Sequence, residues 1–253
     1  MPEELSEFLT AVPKELPFVI GSGIMTVGAR LILYGTRKNF KSQMCRHLLF
    51  CIAQGKPFFG YQVNQKRVLL IDLETPSKDE LKMLLKAYID GHVVQLPKGQ
   101  FFVEHLFHVS LDTDYGLDWL IKRIKACEPE VVAIDPLYKG LSSVGKTQIE
   151  RMIYNVDHVR QMFPGTCFII THHTRKERTD PDGNVIDGGL DELLDSVLLS
   201  AWVDTAIKIR RLTEQGTEAT LSFTALKSAS RELLPIRLNF EPLTMGFSNG
   251  VHP

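Results

Sequence analysis

A lysine–serine pair begins six residues after the glycine that ends an apolar run. The run is Leu31–Tyr34, the glycine is Gly35, and the pair is Lys41 and Ser42. Backbone N–H groups of such a loop can wrap phosphates, while the lysine reaches the terminal phosphate oxygens and the hydroxyl holds Mg²⁺. A helical pattern over Lys41–Gln54 follows, and the N-terminal end of a helix favours anions. This spacing predicts a phosphate-binding loop of the P-loop type.

The loop departs at one position from the usual pattern, G-x-x-x-x-G-K-[ST]. Phe40 stands where the second glycine is expected, although its backbone amide is still available to a phosphate. If the backbone φ there is positive, a bulky residue costs roughly 1 kcal/mol or more in strain. The alternative is an ordinary polar turn between strand and helix. The candidate nucleotide-contacting residues are Gly35, Thr36, Arg37, Lys38, Asn39, Phe40, Lys41 and Ser42.

Acidic and imidazole side chains stand at the ends of three later apolar runs. Asp72 and Glu74 end the second run, Asp135 ends the fourth, and His172 and His173 follow the fifth. In an open parallel α/β sheet, ligands bind at the carboxyl ends of the strands, so these groups would converge on the phosphate-binding loop. Phosphoryl transfer requires charge neutralisation, a Mg²⁺ clamp and an oriented water molecule, which this set of side chains could supply.

These side chains have expected roles in nucleotide hydrolysis. Ser42 would bind the metal directly, and Asp135 would hold Mg²⁺ or its water ligands. Glu74 would polarise the attacking water, and His172 would contact the γ-phosphate and report its loss. Because adjacent residues on a strand point opposite ways, His172 and His173 cannot easily chelate one metal. We therefore expect no zinc site and a structural role for one of the two histidines.

The carboxylates also have structural explanations. Asp72 could cap a helix, and Glu74 precedes a helix-start signal. Asp135 could serve a turn, because Pro136 follows it. The order of the whole set along the chain, with a Lys-Ser loop, two acidic strand ends and a polar strand end, favours phosphoryl transfer over these separate explanations.

The elements that position these groups alternate along the chain. Apolar runs predict strands at Leu31–Tyr34, Arg67–Leu73, Phe101–Phe107, Val131–Ile134 and Cys167–Thr171. Helical patterns lie between them at Lys41–Gln54, Ser77–Asp90, Asp114–Ala126 and Thr147–Phe163. Strands that are apolar throughout and separated by helices indicate a parallel sheet covered on both faces. The predicted fold class is α/β, with a mostly parallel twisted sheet flanked by helices.

The two ends of the chain differ from this alternation. Residues 1–26 predict a short helix at about Leu5–Val12 and a loop, so we expect an N-terminal arm before one large domain at 27–253. The polar stretch His172–Gly189 predicts a long mobile loop. The tail predicts a short helix and then antiparallel strands that close one edge, at Leu190–Ser200, Thr205–Leu212, Ala219–Leu226 and Ile236–Phe240.

The composition excludes several classes of protein. A net charge of -1 argues against a generally basic nucleic-acid coat, although a local basic channel is still compatible with it. The four cysteines form no C-x-x-C pair, which predicts buried reduced thiols in a cytosolic protein. No apolar run reaches transmembrane length, and the acidic N-terminus lacks the basic segment of a signal peptide. We therefore expect a cytoplasmic protein that does not act at a membrane.

Five segments together resemble a known family. They read GTRKNFKS, GKPFFG, RVLLIDLET, VVAIDPL and FIITHHTRKE. In this order they resemble the RecA-fold ATPases of the RepA and DnaB hexameric helicase group, and most closely its phage and plasmid RepA-like branch. That branch sometimes carries an aromatic residue before the lysine, as Phe40 does here. The resemblance spans roughly Phe18 to Phe240 and implies a RecA-like P-loop NTPase core that uses ATP and Mg²⁺.

The resemblance also implies roles for individual residues. Lys41 and Ser42 would form the Walker A pair, Glu74 the catalytic glutamate, Asp135 the Walker B carboxylate and His172 the γ-phosphate sensor. Such proteins insert a lysine and an arginine into the ATP site of a neighbouring subunit. Here these would be Lys227 and Arg231, but the usual K-x-R spacing is not kept. Arg210 and Arg211 are alternatives to Arg231, and a solvated strand face would also explain all these arginines.

Family members form rings, commonly hexamers, that hold single-stranded DNA in a central pore. The corresponding loops here would be Tyr138–Lys146 and Arg175–Gly189. Their basic residues are Lys139, Lys146, Arg175, Lys176 and Arg178. Repeated around a pore, they could build a positive channel from a nearly neutral subunit, with contacts mainly to phosphates.

Two functions are compatible with these residues. The first is an ATP-driven motor that moves on single-stranded DNA and unwinds duplexes, as a replicative helicase does. The second is an ATP-gated DNA-binding module that acts as a recombination mediator, a loader or a switch without unwinding. A scaffold that has lost its nucleotide is a third possibility, disfavoured because Lys41, Ser42, Glu74 and Asp135 occur together. If a phage encodes the chain, we expect it in the cytoplasm of the host cell.

Overall fold

The computed structural model of the protein describes residues 4–6, 17–105, 108–174, 178–179, 185–186, 189–193, 197–228 and 232–249. The strands in this part of the chain are β1 (Phe18–Ile20), β2 (Met25–Thr26), β3 (Arg30–Gly35), β4 (Val68–Asp72), β5 (Phe101–His105), β6 (Val131–Asp135), β7 (Cys167–His173), β8 (Arg178–Thr179), β9 (Val185–Ile186), β10 (Thr205–Arg211), β11 (Glu218–Leu226), β12 (Ile236–Glu241) and β13 (Gly246–Asn249). The α-helices are α1 (Lys41–Gln54), α2 (Lys78–Gly91), α3 (Asp114–Cys127), α4 (Lys146–Met162) and α5 (Val197–Trp202). Short 3₁₀ helices lie at Leu137–Gly140 and Gly189–Glu192.

In the described part of the chain, nine strands form one sheet in the order β13-β12-β11-β10-β3-β7-β6-β4-β5. The segment from β10 to β5 is parallel throughout. Strands β11, β12 and β13 extend it with antiparallel pairs. The predicted α/β fold, with a mostly parallel sheet and antiparallel C-terminal edge strands, is confirmed.

One strand of the tail is placed differently from the prediction. The segment predicted as the antiparallel strand Thr205–Leu212 is β10, which pairs in parallel with β3 and lies inside the sheet. Ala206, Ile207 and Ile209 are all buried, so both faces of β10 are covered, as an interior strand requires. The antiparallel pairing begins only at β11. As a result, the strand that carries the phosphate-binding loop has a neighbour on each side.

Helices cover both faces of the sheet. On one face, α1 packs with the side chains of Leu31, Leu33, Ile169 and Ile207 in a single apolar cluster. On the other face, α3 and α4 pack in a second cluster with Ile32, Ile134 and Ile170. Because successive residues of a strand face opposite sides, each strand divides its apolar side chains between the two clusters. Both layers hold the polar strand ends at one rim.

The residues before β3 contribute to the same core. Strands β1 and β2 pair with each other, and Val19, Ile20, Ile24 and Met25 are buried in the cluster that contains α1. Most of the helix predicted at Leu5–Val12 lies outside the described residues. The division between an arm at 1–26 and a domain at 27–253 stays a prediction.

Elsewhere the element boundaries differ modestly from the predictions. The predicted helix at Leu190–Ser200 is a 3₁₀ turn at Gly189–Glu192 followed by α5. Two short paired strands, β8 and β9, lie within the predicted loop His172–Gly189, much of which is outside the described residues. The four cysteines are free, and Cys45, Cys51 and Cys167 are buried.

Among the described residues, none of the helices combines the length and the apolar character needed to span a bilayer.

Candidate active site

The loop between β3 and α1 contains an aromatic residue in a strained conformation. Phe40 has φ 58° and ψ 19°, the left-handed region, directly before the first turn of α1. Its ring stacks on Phe240 at a centroid distance of 4.6 Å and meets Phe247 edge-on at 6.1 Å. The guanidinium of Arg211 lies 4.7 Å from the same ring centre. The ring is therefore packed on β10, β12 and β13.

The packing offsets the strain of the left-handed residue. A non-glycine residue in that region costs roughly 1–2 kcal/mol. Each aromatic pair contributes about 0.5–1.5 kcal/mol and an exposed cation–π pair about 0.5–1 kcal/mol. The sum of these contacts is as large as the strain, so Phe40 can take the glycine conformation while its backbone amide stays in the loop. No side chain caps the first turn of α1.

The first glycine of the loop is required by close approach. A Cβ atom on Gly35 would collide with the carbonyl oxygen of Ile209 on the neighbouring β10. The interior position of β10 therefore explains why the strand before the loop ends in glycine.

Lys41 points back across the loop. Its Nζ donates a hydrogen bond to the carbonyl oxygen of Thr36 at 2.7 Å. Burial lowers the pKa of Lys41 to about 8, an effect that the negative charges of Asp135 and Glu74 partly oppose. The ammonium group is thus charged near neutral pH but poorly solvated, which favours a multiply charged anion as its partner.

Three oxygen-bearing side chains meet at the carboxyl ends of β6 and β7. The hydroxyl of Ser42 donates to Oδ1 of Asp135 at 3.0 Å, and the hydroxyl of Thr171 donates to the same oxygen at 2.5 Å. Asp135 is buried, and this burial raises its pKa, while the charge of Arg46 opposes the rise. Hydroxyl and carboxylate oxygens are the donors that Mg²⁺ prefers, so this corner fits the metal that the loop implies.

Glu74 lies at another wall of the cavity and is exposed. The hydroxyl of Tyr138 donates to its Oε1 at 2.8 Å. The ring of Tyr138 in turn lies 5.0 Å from the ring of His173, between centroids. Burial and the hydrogen bond to Glu74 raise the pKa of Tyr138 to about 12, so the phenol remains a donor at neutral pH.

Of the two adjacent histidines, His173 lines the cavity and His172 does not. His173 shares a strand face with Thr171, whereas His172 is buried and pairs in register with Tyr34. Burial and the nearby charge of Lys41 lower the pKa of His173 to about 4. It is therefore neutral at physiological pH and can donate one hydrogen bond to a phosphate. The geometry favours His173 over the predicted His172 as the residue that faces a terminal phosphate.

These groups border one cavity of about 620 Å³. It is lined by Arg37, Lys38, Asn39, Phe40, Lys41, Ser42, Gln43, Arg46, Glu74, Thr75, Pro76, Glu80, Leu84, Pro136, Tyr138, Lys139, Thr171 and His173. Asp135 lies beneath it through the contacts to Ser42 and Thr171. The structure thus brings together the predicted lysine, serine, glutamate and aspartate.

The residues predicted to act on a neighbouring subunit lie in different places. Nζ of Lys227 contacts the carbonyl oxygen of Ala201 and Asp204, and Asp204 pairs with Arg30 at the start of β3. Lys227 is therefore at the end of the sheet far from its own cavity. Arg211 contacts Phe40 within the same subunit, and Arg210 and Arg211 border a second cavity, of about 520 Å³, beside the loop. Arg231 lies outside the described residues.

The predicted DNA-contacting residues are only partly described. Lys139 is exposed on the 3₁₀ turn after β6, where its Nζ lies 5.7 Å from the ring of Tyr138. Lys146 is exposed at the start of α4 and pairs with Glu150. Arg178 belongs to β8, and Arg175 and Lys176 lie outside the described residues.

Comparison with known proteins identifies the family. The chain belongs to the AAA domain family, which matches residues 2–179. Among solved structures, the ATPase domain of a helicase has a TM-score of 0.68 and 12% identity, over 98% of this chain and 96% of that one. The flagellar accessory protein FlaH from Methanocaldococcus jannaschii has a TM-score of 0.59 and 12% identity, over 89% and 91% of the two chains. A KaiC-like protein from Pyrococcus horikoshii OT3 has a TM-score of 0.58 and 11% identity, over 92% and 94%.

The comparison with curated proteins finds no match. At these identities the solved structures establish the fold, which is RecA-like. Together with the family and the cavity, they support a P-loop ATPase. The RepA-like branch suggested by the sequence stays a prediction.

Replacing Phe40 by glycine separates its packing from its backbone role. The change relieves strain of roughly 1 kcal/mol. It also removes a buried ring, and truncating a buried phenylalanine typically costs about 3–5 kcal/mol. We expect Phe40→Gly to lower the free energy of unfolding by about 2–4 kcal/mol in denaturant titrations and to leave nucleotide affinity within about threefold.

Phe240→Ala provides the matched control, because it removes the other ring of the stacked pair. The two losses should be less than additive in the double variant. A large loss of nucleotide affinity with unchanged stability would instead mean that the ring contacts the nucleotide.

The lowered pKa of Lys41 predicts a pH dependence of nucleotide binding. Below a pH of about 8 the free lysine is charged and attracts phosphate, whereas above it binding must be coupled to uptake of a proton. Affinity for an ATP analogue should therefore fall between about pH 7 and about pH 9, by up to about tenfold per pH unit at the alkaline end. Calorimetric titrations should show this slope in the wild type and a flat profile in Lys41→Met.

The hydrogen bond from Tyr138 weakens Glu74 as a base, because a donated proton stabilises its carboxylate. Tyr138→Phe should therefore raise the basal rate of ATP hydrolysis, by up to about tenfold if the bond contributes roughly 1.5 kcal/mol. Tyr154→Phe, at an exposed tyrosine of α4, should leave the rate unchanged. A fall in the rate of Tyr138→Phe would show that the phenol orients Glu74 productively.

Proposed function

We propose that the protein is an ATP-hydrolysing RecA-fold motor that acts on single-stranded DNA, as a ring-forming helicase of the replicative type. One observation carries the hydrolytic part of this proposal. Lys41, Ser42, Asp135 and Glu74 come from three separate segments and border one cavity beside an uncapped helix N-terminus. Each has the chemical character that phosphoryl transfer requires at its position.

The side chains divide the reaction between them. Lys41 and the loop amides would bind the β- and γ-phosphates. Ser42 and Asp135 would hold Mg²⁺, which supplies positive charge against the phosphate oxygens. Glu74 would accept a proton from the attacking water at its carboxylate. His173, which is neutral at physiological pH, would donate a hydrogen bond to the γ-phosphate.

Several features support the part of the proposal that concerns DNA and assembly. Lys139 follows the Walker B strand by one short turn and is exposed, so bound DNA would lie close to the hydrolytic residues. Lys227 is remote from its own cavity, so contact with a nucleotide would require another subunit. The sequence resemblance to hexameric helicases points in the same direction. The number of subunits, six in such rings, belongs to this proposal.

A second candidate is an ATP-gated DNA-binding switch without unwinding activity. The hydrogen bond from Tyr138 to Glu74 favours it, because a glutamate held in this way suits slow hydrolysis. A strand-displacement assay on a forked duplex separates the two candidates. The motor unwinds the fork in the presence of ATP, whereas the switch binds single strands without displacing one.

The experiment that tests the proposal is phosphate release measured with and without single-stranded DNA. We expect DNA to stimulate hydrolysis and Lys41→Ala to abolish it, because the phosphates lose their main cationic partner. Glu74→Gln should lower hydrolysis by on the order of 100-fold or more and leave bound ATP trapped. Sedimentation with ATP and DNA in the same samples reports assembly.

Two results would count against the motor. Hydrolysis that is indifferent to DNA would remove the coupling on which it depends. Equal rates for the wild type and Glu74→Gln would remove the hydrolytic role of the cavity.

A further inference from the structure

A buried arginine lies directly under the phosphate-binding loop. Arg46 is on α1, one helical turn after Ser42, and it is only 7% exposed. A buried guanidinium is costly unless it is paired and hydrogen-bonded. The sequence predictions assigned it no role, although its place on the same helix face as Ser42 was readable from the spacing.

Arg46 connects α1 to the strand that leads to Glu74. Its Nη2 donates to Oδ2 of Asp72 at 3.1 Å and lies 3.2 Å from the hydroxyl of Thr75. Asp72 accepts two further bonds from Thr75, from the backbone N–H at 2.9 Å and from the hydroxyl at 2.8 Å. A longer bond of 3.3 Å comes from the N–H of Glu74. Asp72 thus ties the turn that carries Glu74, and Arg46 ties Asp72 to the helix of the loop.

Arg46 also balances two buried carboxylates. Asp72 and Asp135 are register partners at the ends of β4 and β6, and each is 1% exposed. Carboxylates this close disfavour each other's ionised form. The charge of Arg46 stabilises the ionised form of Asp135. Removing Arg46 would therefore leave two like charges under the loop and release the turn next to them.

We propose that Arg46 is a positioning residue for hydrolysis, which fixes the turn of Glu74 against the phosphate-binding loop through Asp72. It acts through Glu74 and does not bind the nucleotide. This inference rests on the proposed ATPase function. It adds a residue, and a path through Asp72, that connects the metal-binding end of α1 to the catalytic base.

The test is Arg46→Met, which keeps the length and apolar stem of the side chain but removes its charge. Displacement of Glu74 by about 1 Å should lower kcat on the order of 100-fold. The Kd for an ATP analogue should change less than about threefold, because Arg46 does not touch the phosphates. Hydrogen exchange at the amides of Glu74 and Thr75 should accelerate, which is a readout independent of activity.

Two double variants give the inference its sharpest test. Adding Asp72→Asn to Arg46→Met removes the unpaired charge and should recover at least about tenfold in kcat. In a Glu74→Gln background, Arg46→Met should add less than about threefold further loss, because both changes disable the same group. Additive losses, or a rise in Kd that Asp72→Asn does not reverse, would overturn the inference.

Arg30→Met is the matched control, because Arg30 is a partly buried arginine paired with Asp204 at the other end of the same sheet. It should lower stability without changing exchange at Glu74. If Arg46→Met does not fold, Arg46→Lys keeps the charge and shortens the reach, and the same exchange readout decides. Unchanged exchange there overturns the inference, whereas equal hydrolysis by wild type and Glu74→Gln would overturn only the proposed function.

Discussion

The stacking of Phe40 on Phe240 holds the phosphate-binding loop in the shape that glycine usually provides. A backbone in the left-handed region is unstable for a bulky residue unless its side chain gains elsewhere what the backbone loses. Here the gain comes from rings of β12 and β13 and from the guanidinium of Arg211. The antiparallel strands beyond β10 are therefore part of the machinery of the loop.

Charge balance is the second constraint on the site. Lys41 and Arg46 are buried next to Asp72 and Asp135, so opposite charges offset one another beneath the loop. These four groups together are neutral before a metal and a nucleotide bring their own charges. Because each group is held by hydrogen bonds or ion pairs from neighbouring segments, the site is preorganised, and little reorganisation is needed when phosphates bind.

The sequence predicted the alternating elements well because strands buried on both faces are continuous apolar runs with helices between them. It placed Lys41, Ser42, Glu74 and Asp135 at one rim because parallel strands all end there. It could not separate His172 from His173, since that choice depends on which sheet face α1 covers. It also missed the parallel pairing of β10 and the link from Arg46 to Asp72, which are contacts between segments far apart in the chain.

The dependence of Phe40 on Phe240 and Phe247 affects the order in which the protein matures during synthesis. As a nascent chain leaves the ribosome, the loop emerges early, but the rings that hold it emerge close to the end of translation. Until then the loop has no counterweight for its strained residue. The ability to capture ATP should consequently arise late, when nearly the whole polypeptide has been released.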